Sequence, residues 1–273
     1  MKISRPYIRD ILRAYYRTMH SLYFEELVDT QRFLISFNAI ADRKYYNCAH
    51  TLASDDRDTL GEIEQFFEQR GTASCVYVDP CSPLALEDSL KDCGYKEDAS
   101  ELEVWYQKKL DSNKLMETES HIKIDAGRLH IQNVHPNSPD MHVFWEIDTA
   151  CNDITDALGA FFRKRAHALK IDNKNEHSFF LGRLDGIPVM TGAVSVCGPF
   201  AFFSEAAVLT PYRCQGLYST MLMHCINFST KLGCSHAFVN CDGDAFSNQA
   251  CLKTGFNAFF RRRLFRRPLT KDI

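Results

Sequence analysis

The residues with the most chemical content lie between Val208 and Tyr218, which read V-L-T-P-Y-R-C-Q-G-L-Y. A β-branched strand end at Val208 is followed by Pro211, which removes a backbone donor, by Arg213 and Gly216, and then by a run with helical spacing. A helix that opens directly after such a turn presents amides with no intrahelical partner, and its dipole adds partial positive charge there. The amides from Cys214 through Gln215, Gly216, Leu217, Tyr218 and Ser219, with the full charge of Arg213 beside them, make a cradle for phosphate oxygens. Gly216 lets the chain approach a ligand with no side chain between them. The expected ligand is a diphosphate.

The elements that must position this turn follow from apolar spacing. Downstream, Met221, Leu222, Cys225, Ile226, Phe228 and Leu232 predict a helix over 218–232 that Gly233 caps. A short buried strand at 235–239, a helix at 247–254 stopped by Gly255-Phe256, and a strand ending at Arg263 come next. Upstream lie a first strand at 129–134, two helices within 139–169, a hairpin of 179–184 and 189–196 around Asp185-Gly186, and a strand at 200–209.

The polar stretch 111–120 has no apolar period and reads as a linker, so two domains are expected, 1–110 and 121–273. The first contains candidate helices at 9–23, 59–70 and 84–93 and candidate strands at 45–52, 74–78 and 102–107. Its Gly71 and Gly94-Tyr95 keep nearly the interval of Gly233 and Gly255-Phe256, which suggests an internal duplication, with chance recurrence of a common helix–strand–helix run as the alternative. Where the second half has its cationic turn, the first has Ser54-Asp55-Asp56-Arg57-Asp58, whose three carboxylates would repel a diphosphate. One anion site is expected, in the C-terminal half.

The turn resembles the acyl-CoA signature R-x-x-G-x-G/A of the GNAT acyltransferase superfamily, with Arg213 and Gly216 in place and Tyr218 where Gly or Ala is usual. Ser247 to Phe256, S-N-Q-A-C-L-K-T-G-F, resembles that superfamily's second CoA-side motif through Lys253, Gly255 and Phe256. The resemblance covers nearly the whole chain, although its motifs are strong only after Val208. It implies an α/β (α+β) fold of two GNAT-like domains, each a mixed, mostly antiparallel sheet flanked by helices, with a leading copy that has lost its CoA loop. It further implies an N-acyltransferase using acetyl-CoA as co-substrate, without a metal. Backbone groups around Ala206 to Val208 would pair with the pantetheine arm, and an amide there would polarise the thioester.

Acyl transfer to an amine needs a base for the amine and a proton for the departing thiolate. Glu205, in the apolar run F-F-S-E-A-A-V, is the candidate base, with an ion pair or a sheet-edge charge as its structural alternative. A tyrosine four residues before the motif glycine supplies the proton in many family members, and Cys251 stands there. Cys251 is therefore a candidate proton donor or a packed helix residue. Tyr218 and Ser247 are alternative hydroxyl donors. Asp242 and Asp244 either cap the following helix or hold a substrate amine. His167, His224 and His236 have no partnered acid or cysteine in a recognisable pattern.

Composition sets the remaining limits. The chain has 273 residues, is 45% hydrophobic and 25% charged, and carries a net charge of −3, which gives no general attraction to nucleic acid or anionic membranes. No apolar run reaches the ~20 residues a bilayer span requires. The start lacks an apolar signal segment, so cytoplasm is the expected location, and the 11 scattered cysteines read as reduced thiols without zinc-site spacing. Arg261, Arg262, Arg263, Arg266 and Arg267 read as a solvated edge strand protected by charge, with an anchor for an acidic partner or for the CoA 3′-phosphate as the alternative. The expected partner is an amine acceptor, and the expected state is a monomer or homodimer. A CoA-binding module without turnover is the alternative function.

Overall fold

The computed structural model describes residues 4–41, 46–52, 57–112, 115, 126–152, 154–169, 176–243 and 246–268. The chain forms two compact units, one of residues 1–104 and 260–273 and the other of residues 105–259. The expected linker at 111–120 lies largely outside the described residues, as does most of the acidic segment 54–58.

In the first unit, helix α1 (Arg5–Tyr23) begins with Pro6, whose fixed φ suits a first helical turn. It buries Ile8, Ile11, Leu12, Tyr15, Tyr16, Met19, Leu22 and Tyr23, the three-and-four spacing of one helix face. Strands β1 (Glu26–Asp29), β2 (Phe33–Phe37) and β3 (Cys48–Thr51) pair antiparallel in sequence order, and β4 (Ser74–Val78) pairs parallel with β3. Helices α2 (Arg57–Glu68) and α3 (Leu86–Asp92) supply Leu60, Ile63, Phe67, Leu86 and Leu90 to a core shared with Phe33, Ile35, Phe37 and Val76. Strand β5 (Lys96–Lys109) contributes its residues through Val104 to this unit and the rest to the second.

The arginine-rich last strand, β11 (Asn257–Arg267), corrects one expectation. It is not an edge strand: Arg263 to Arg267 pair antiparallel with Val78 to Ser74 of β4, and β5 lies on its other side. The charges are tolerated because carboxylates from separate elements meet them. Arg262 is fully buried against Glu103, Arg263 pairs with Glu87 and Glu97, and Arg267 pairs with Glu64.

In the second unit, strands β6 (Leu129–Val134), β7 (His177–Leu184), β8 (Ile187–Cys197) and β9 (Phe200–Val208) run antiparallel in order, and β10 (His236–Asp242) joins β9 in parallel. Asp185 and Gly186 both take positive φ, 51° and 82°, the conformation a two-residue hairpin turn demands. Helices α4 (Pro139–Cys151), α5 (Asp156–His167), α6 (Leu217–Lys231) and α7 (Ser247–Lys253) complete the unit. α6 lies so close to β8 that a Cβ at Gly192 would come within 2.6 Å of Met221 Cγ.

Both units close their helices alike. Gly71, Gly94, Gly233 and Gly255 all sit at φ between 67° and 83°, and in each case the following amide reaches back to a carbonyl of the last helical turn. The repeated helix, glycine, strand, helix, glycine-aromatic pattern is thus a repeat of backbone geometry. Each unit is a mixed, mostly antiparallel sheet flanked by helices.

Candidate active site

The site is built where β9 stops behaving as a regular strand. Its parallel register with β10 runs from Phe200↔His236 to Phe203↔Val239, while each strand continues for several residues beyond. On the other side, Thr191 pairs with Ala207 and Ala193 with Ser204, so Glu205 and Ala206 together oppose the single residue Gly192. This is a β-bulge, a device that re-aims side chains beside functional sites. Glu205 carries φ 52° there, and Thr191 Oγ1 donates to its carbonyl oxygen at 2.7 Å, which pins the bulge.

Past the bulge, Ala206, Ala207 and Val208 form one wall of a cleft of about 490 Å³. A 3₁₀ turn at Thr210–Tyr212 leads into Arg213, whose Nε donates to the Val208 carbonyl at 2.9 Å and ties the turn to the strand end. Cys214 takes φ 63° and Gly216 φ 88°, after which α6 begins. The first backbone bond closing the helix runs from Thr220 N to Gly216 O at 3.0 Å, so the amides of Leu217, Tyr218 and Ser219 precede any intrahelical acceptor. Arg213, Cys214, Gly216, Leu217, Tyr218 and Ser219 all line the cleft. Gln215, expected among them, does not. Among the described residues, Glu205 and Cys214 are two of three non-glycine residues at positive φ; Cys214 lines the cleft, whereas Glu205, expected as the base, does not, although the bulge sets it directly before Ala206, which does.

The facing wall comes from α7 and the residue before it. Ser247, Gln249, Ala250 and Lys253 line the cleft, and Phe246 stands at its rim 92% exposed. Asn248 Nδ2 donates to the carbonyls of Asp242 and Gly243, each at 2.9 Å, which fixes the start of α7 against the end of β10. Phe246, not Asp242, stands at the helix N-cap; Asp244 lies outside the described residues.

Cys251 is fully buried behind this wall rather than part of the cleft lining, with its Sγ 3.8 Å from Cys241 Sγ. The hydrogen bond with Cys241 and burial push its thiol far above the ordinary range. Tyr218, from the first turn of α6, lines the cleft and shares a hydrogen bond with Ser247. Burial holds the Tyr218 phenol well above 10, with Cys241, Cys251 and Cys225 nearby adding to the effect. The phenol therefore keeps its proton at neutral pH. His167, His224 and His236 stand away from the cleft lining.

The third wall is α4, whose last turn sequence reasoning did not single out. Cys151 and Asn152 line the cleft, and Cys151 shares a hydrogen bond with Arg213. One turn earlier, Asp148 is completely buried beside Glu205. A lone Asp within W-E-I-D-T-A-C carries no sequence signal. Its partner is 57 positions away on a different element.

No protein-family model matches the chain, and no relative is found among curated sequences. Solved structures do match. A GCN5-related N-acetyltransferase from Kribbella flavida superposes with a TM-score of 0.69 at 14% identity, over 100% of this chain and 99% of that one. A GCN5-related N-acetyltransferase from Sphaerobacter thermophilus gives 0.66 at 13% identity, over 95% and 85%. A tandem GNAT protein from the clavulanic acid biosynthesis pathway gives 0.58 at 10% identity, over 81% and 75%. The fold is the GNAT fold in a tandem arrangement.

Among the described residues no cluster of potential metal ligands occurs, and no helix is long and apolar enough to cross a membrane.

Proposed function

We propose that the chain is an N-acyltransferase that moves an acetyl group from acetyl-CoA to a primary amine of a small molecule, peptide or protein. The observation that carries this reading is the cleft of the second unit, where a bulged strand end, a left-handed glycine and the free amides of a helix start converge. The amides of Leu217, Tyr218 and Ser219 and the charge of Arg213 suit the diphosphate. Ala206 to Val208 offer backbone partners to the pantetheine arm, and exposed Phe246 offers an aromatic face to the adenine.

Glu205 takes a proton from the ammonium of the acceptor, and the resulting amine attacks the thioester carbonyl. The C–N bond forms and the C–S bond breaks as the tetrahedral centre collapses. Tyr218 gives its proton to the departing sulfur and regains one, through solvent, from the second N–H that the nitrogen loses. Ser247 holds the phenol in place. The position usually given to tyrosine is filled by buried Cys251, so the hydroxyl enters from α6 instead of α7.

The deciding experiment is release of free thiol from acetyl-CoA across a panel of amines. Turnover with at least one amine, together with thermal stabilisation by CoA, supports the reading. Firm CoA binding without turnover on any amine would move the protein to the alternative class, a CoA-binding module, which the displaced tyrosine position favours.

A further inference from the structure

Asp148 is fully buried on α4, and its two carboxylate oxygens have different surroundings. Oδ1 accepts a hydrogen bond from Asn152 Nδ2 at 2.6 Å. Oδ2 is buried with no conventional donor, and the Asp148 carboxyl meets the Glu205 side chain. Two carboxyl groups in contact have only acceptor oxygens unless one carries a proton, and a buried pair of like charges is strongly disfavoured. Glu205 is held there by the bulge, with φ 52° and its carbonyl tied to Thr191, so the contact cannot relax by a strand slip.

We propose that Asp148 is a positioning residue for the transfer: its carboxyl is protonated and donates to the Glu205 carboxylate, so that the pair enters the reaction with one proton and one negative charge. This rests on the reading of Glu205 as the base. Burial first, then the charge of Glu205, holds the Asp148 carboxyl well above the usual carboxylate range. Of the other titratable groups, Cys151 on α4 itself acts on Asp148, and Arg213 on the turn after β9 acts in turn on Cys151.

The consequence is a substrate class. A pair with a single negative charge attracts an ammonium and becomes neutral once it takes the ammonium's proton. The favoured acceptor is an alkyl amine that arrives charged, in preference to an aromatic amine that arrives neutral. The pair also fixes the direction of Glu205, since the Asp148 O–H occupies one of its oxygens and leaves the other for the substrate proton.

Infrared spectroscopy of the whole protein with carbon-13-labelled aspartate tests the proton directly, with no acceptor needed. The carbonyl stretch of a protonated aspartic acid is expected at neutral pH in the wild type, absent in Asp148→Asn, and displaced in Glu205→Gln. Absence of that band in the wild type overturns the proposal.

Kinetics supply the second arm. Asparagine at 148 still donates to Glu205, so Asp148→Asn should keep kcat/KM within about 3-fold of wild type and lose the alkaline fall in rate that a second ionisation produces. Asp148→Leu, which cannot donate, should lose about 100-fold in kcat, the scale of a misplaced general base. A 100-fold loss in Asp148→Asn with intact CoA stabilisation would mean that ionised Asp148 is required, and the proposal fails. Full activity in Glu205→Gln would instead sink the underlying reading of Glu205 as base.

Discussion

Arg262 donates from Nε to Glu103 Oε2 at 2.7 Å, with the guanidinium wholly shielded from solvent and stacked 4.0 Å above the Tyr77 ring. Its Nη1 also donates to Tyr16 Oη at 3.0 Å. One arginine from the last strand thus organises a polar centre within the first unit. Removing it leaves a carboxylate buried without its counter-charge, which typically costs about 3–5 kcal/mol. Arg262→Leu should lower the urea midpoint accordingly, and adding Glu103→Leu should recover much of the loss. An unshifted midpoint in the single variant would show that the pair does not hold the unit together.

The same centre predicts acid sensitivity. His50 Nε2 lies 2.9 Å from Tyr16 Oη and its Nδ1 lies 3.5 Å from Asp79 Oδ2. Burial pulls its pKa from 6.5 down to about 4, partly opposed by Asp79. A group that binds its proton more weakly in the folded state gives stability that is complete above 6.5 and lost as pH falls toward 4. The full effect is about 3 kcal/mol. Asp79 acts in the same direction: burial raises its carboxyl, but the facing His50 and the hydrogen bonds from Cys81 outweigh it and leave it below its ordinary value. Urea unfolding at pH 7.5 and pH 5 should therefore differ more in wild type than in His50→Gln. Equal slopes in the two proteins would assign the sensitivity elsewhere.

The sequence displayed what depends on neighbours along the chain. The α6 stripe, the glycine stops and the Asp185-Gly186 turn were legible because each is set by residues within one or two turns. Strands β1 and β2 were not, since half-buried E-L-V-D and fully buried F-L-I-S-F lack a period-two signal. The bulge at Glu205 was hidden because register belongs to a pair of strands. Arg262 was misread for a related reason: its counter-charge, Glu103, lies on another strand, so a run of arginines resembled a solvated edge. The turn and the helix start after it could be read from 208–218 alone, whereas the meeting of Asp148 with Glu205 could not.

Arg213 ties the 213–216 turn to the strand end, so if the proposed diphosphate site lies there, charge reversal should act on CoA binding before it acts on folding. Arg213→Glu places a carboxylate at the helix start, loses the bond to Val208, and should abolish the rise in melting temperature that CoA produces. Its melting temperature without ligand should fall only slightly, because the side chain is largely exposed. Undiminished stabilisation by CoA in this variant would move the anion site away from the turn.

Tyr218 and Cys251 make opposite predictions, although both stood in the sequence as proton donors. Tyr218→Phe keeps the ring and removes only the O–H that shares a hydrogen bond with Ser247, so CoA stabilisation should persist while kcat falls about 100-fold. Cys251→Ala removes a buried sulfur that touches Cys241 and not the cleft, so it should cost about 1–2 kcal/mol of stability and leave kcat nearly unchanged. The two measurements together assign the proton. If the cysteine variant loses turnover while the phenylalanine variant keeps it, the thiol reaches the sulfur by a motion of α7, and the α6 hydroxyl serves only packing.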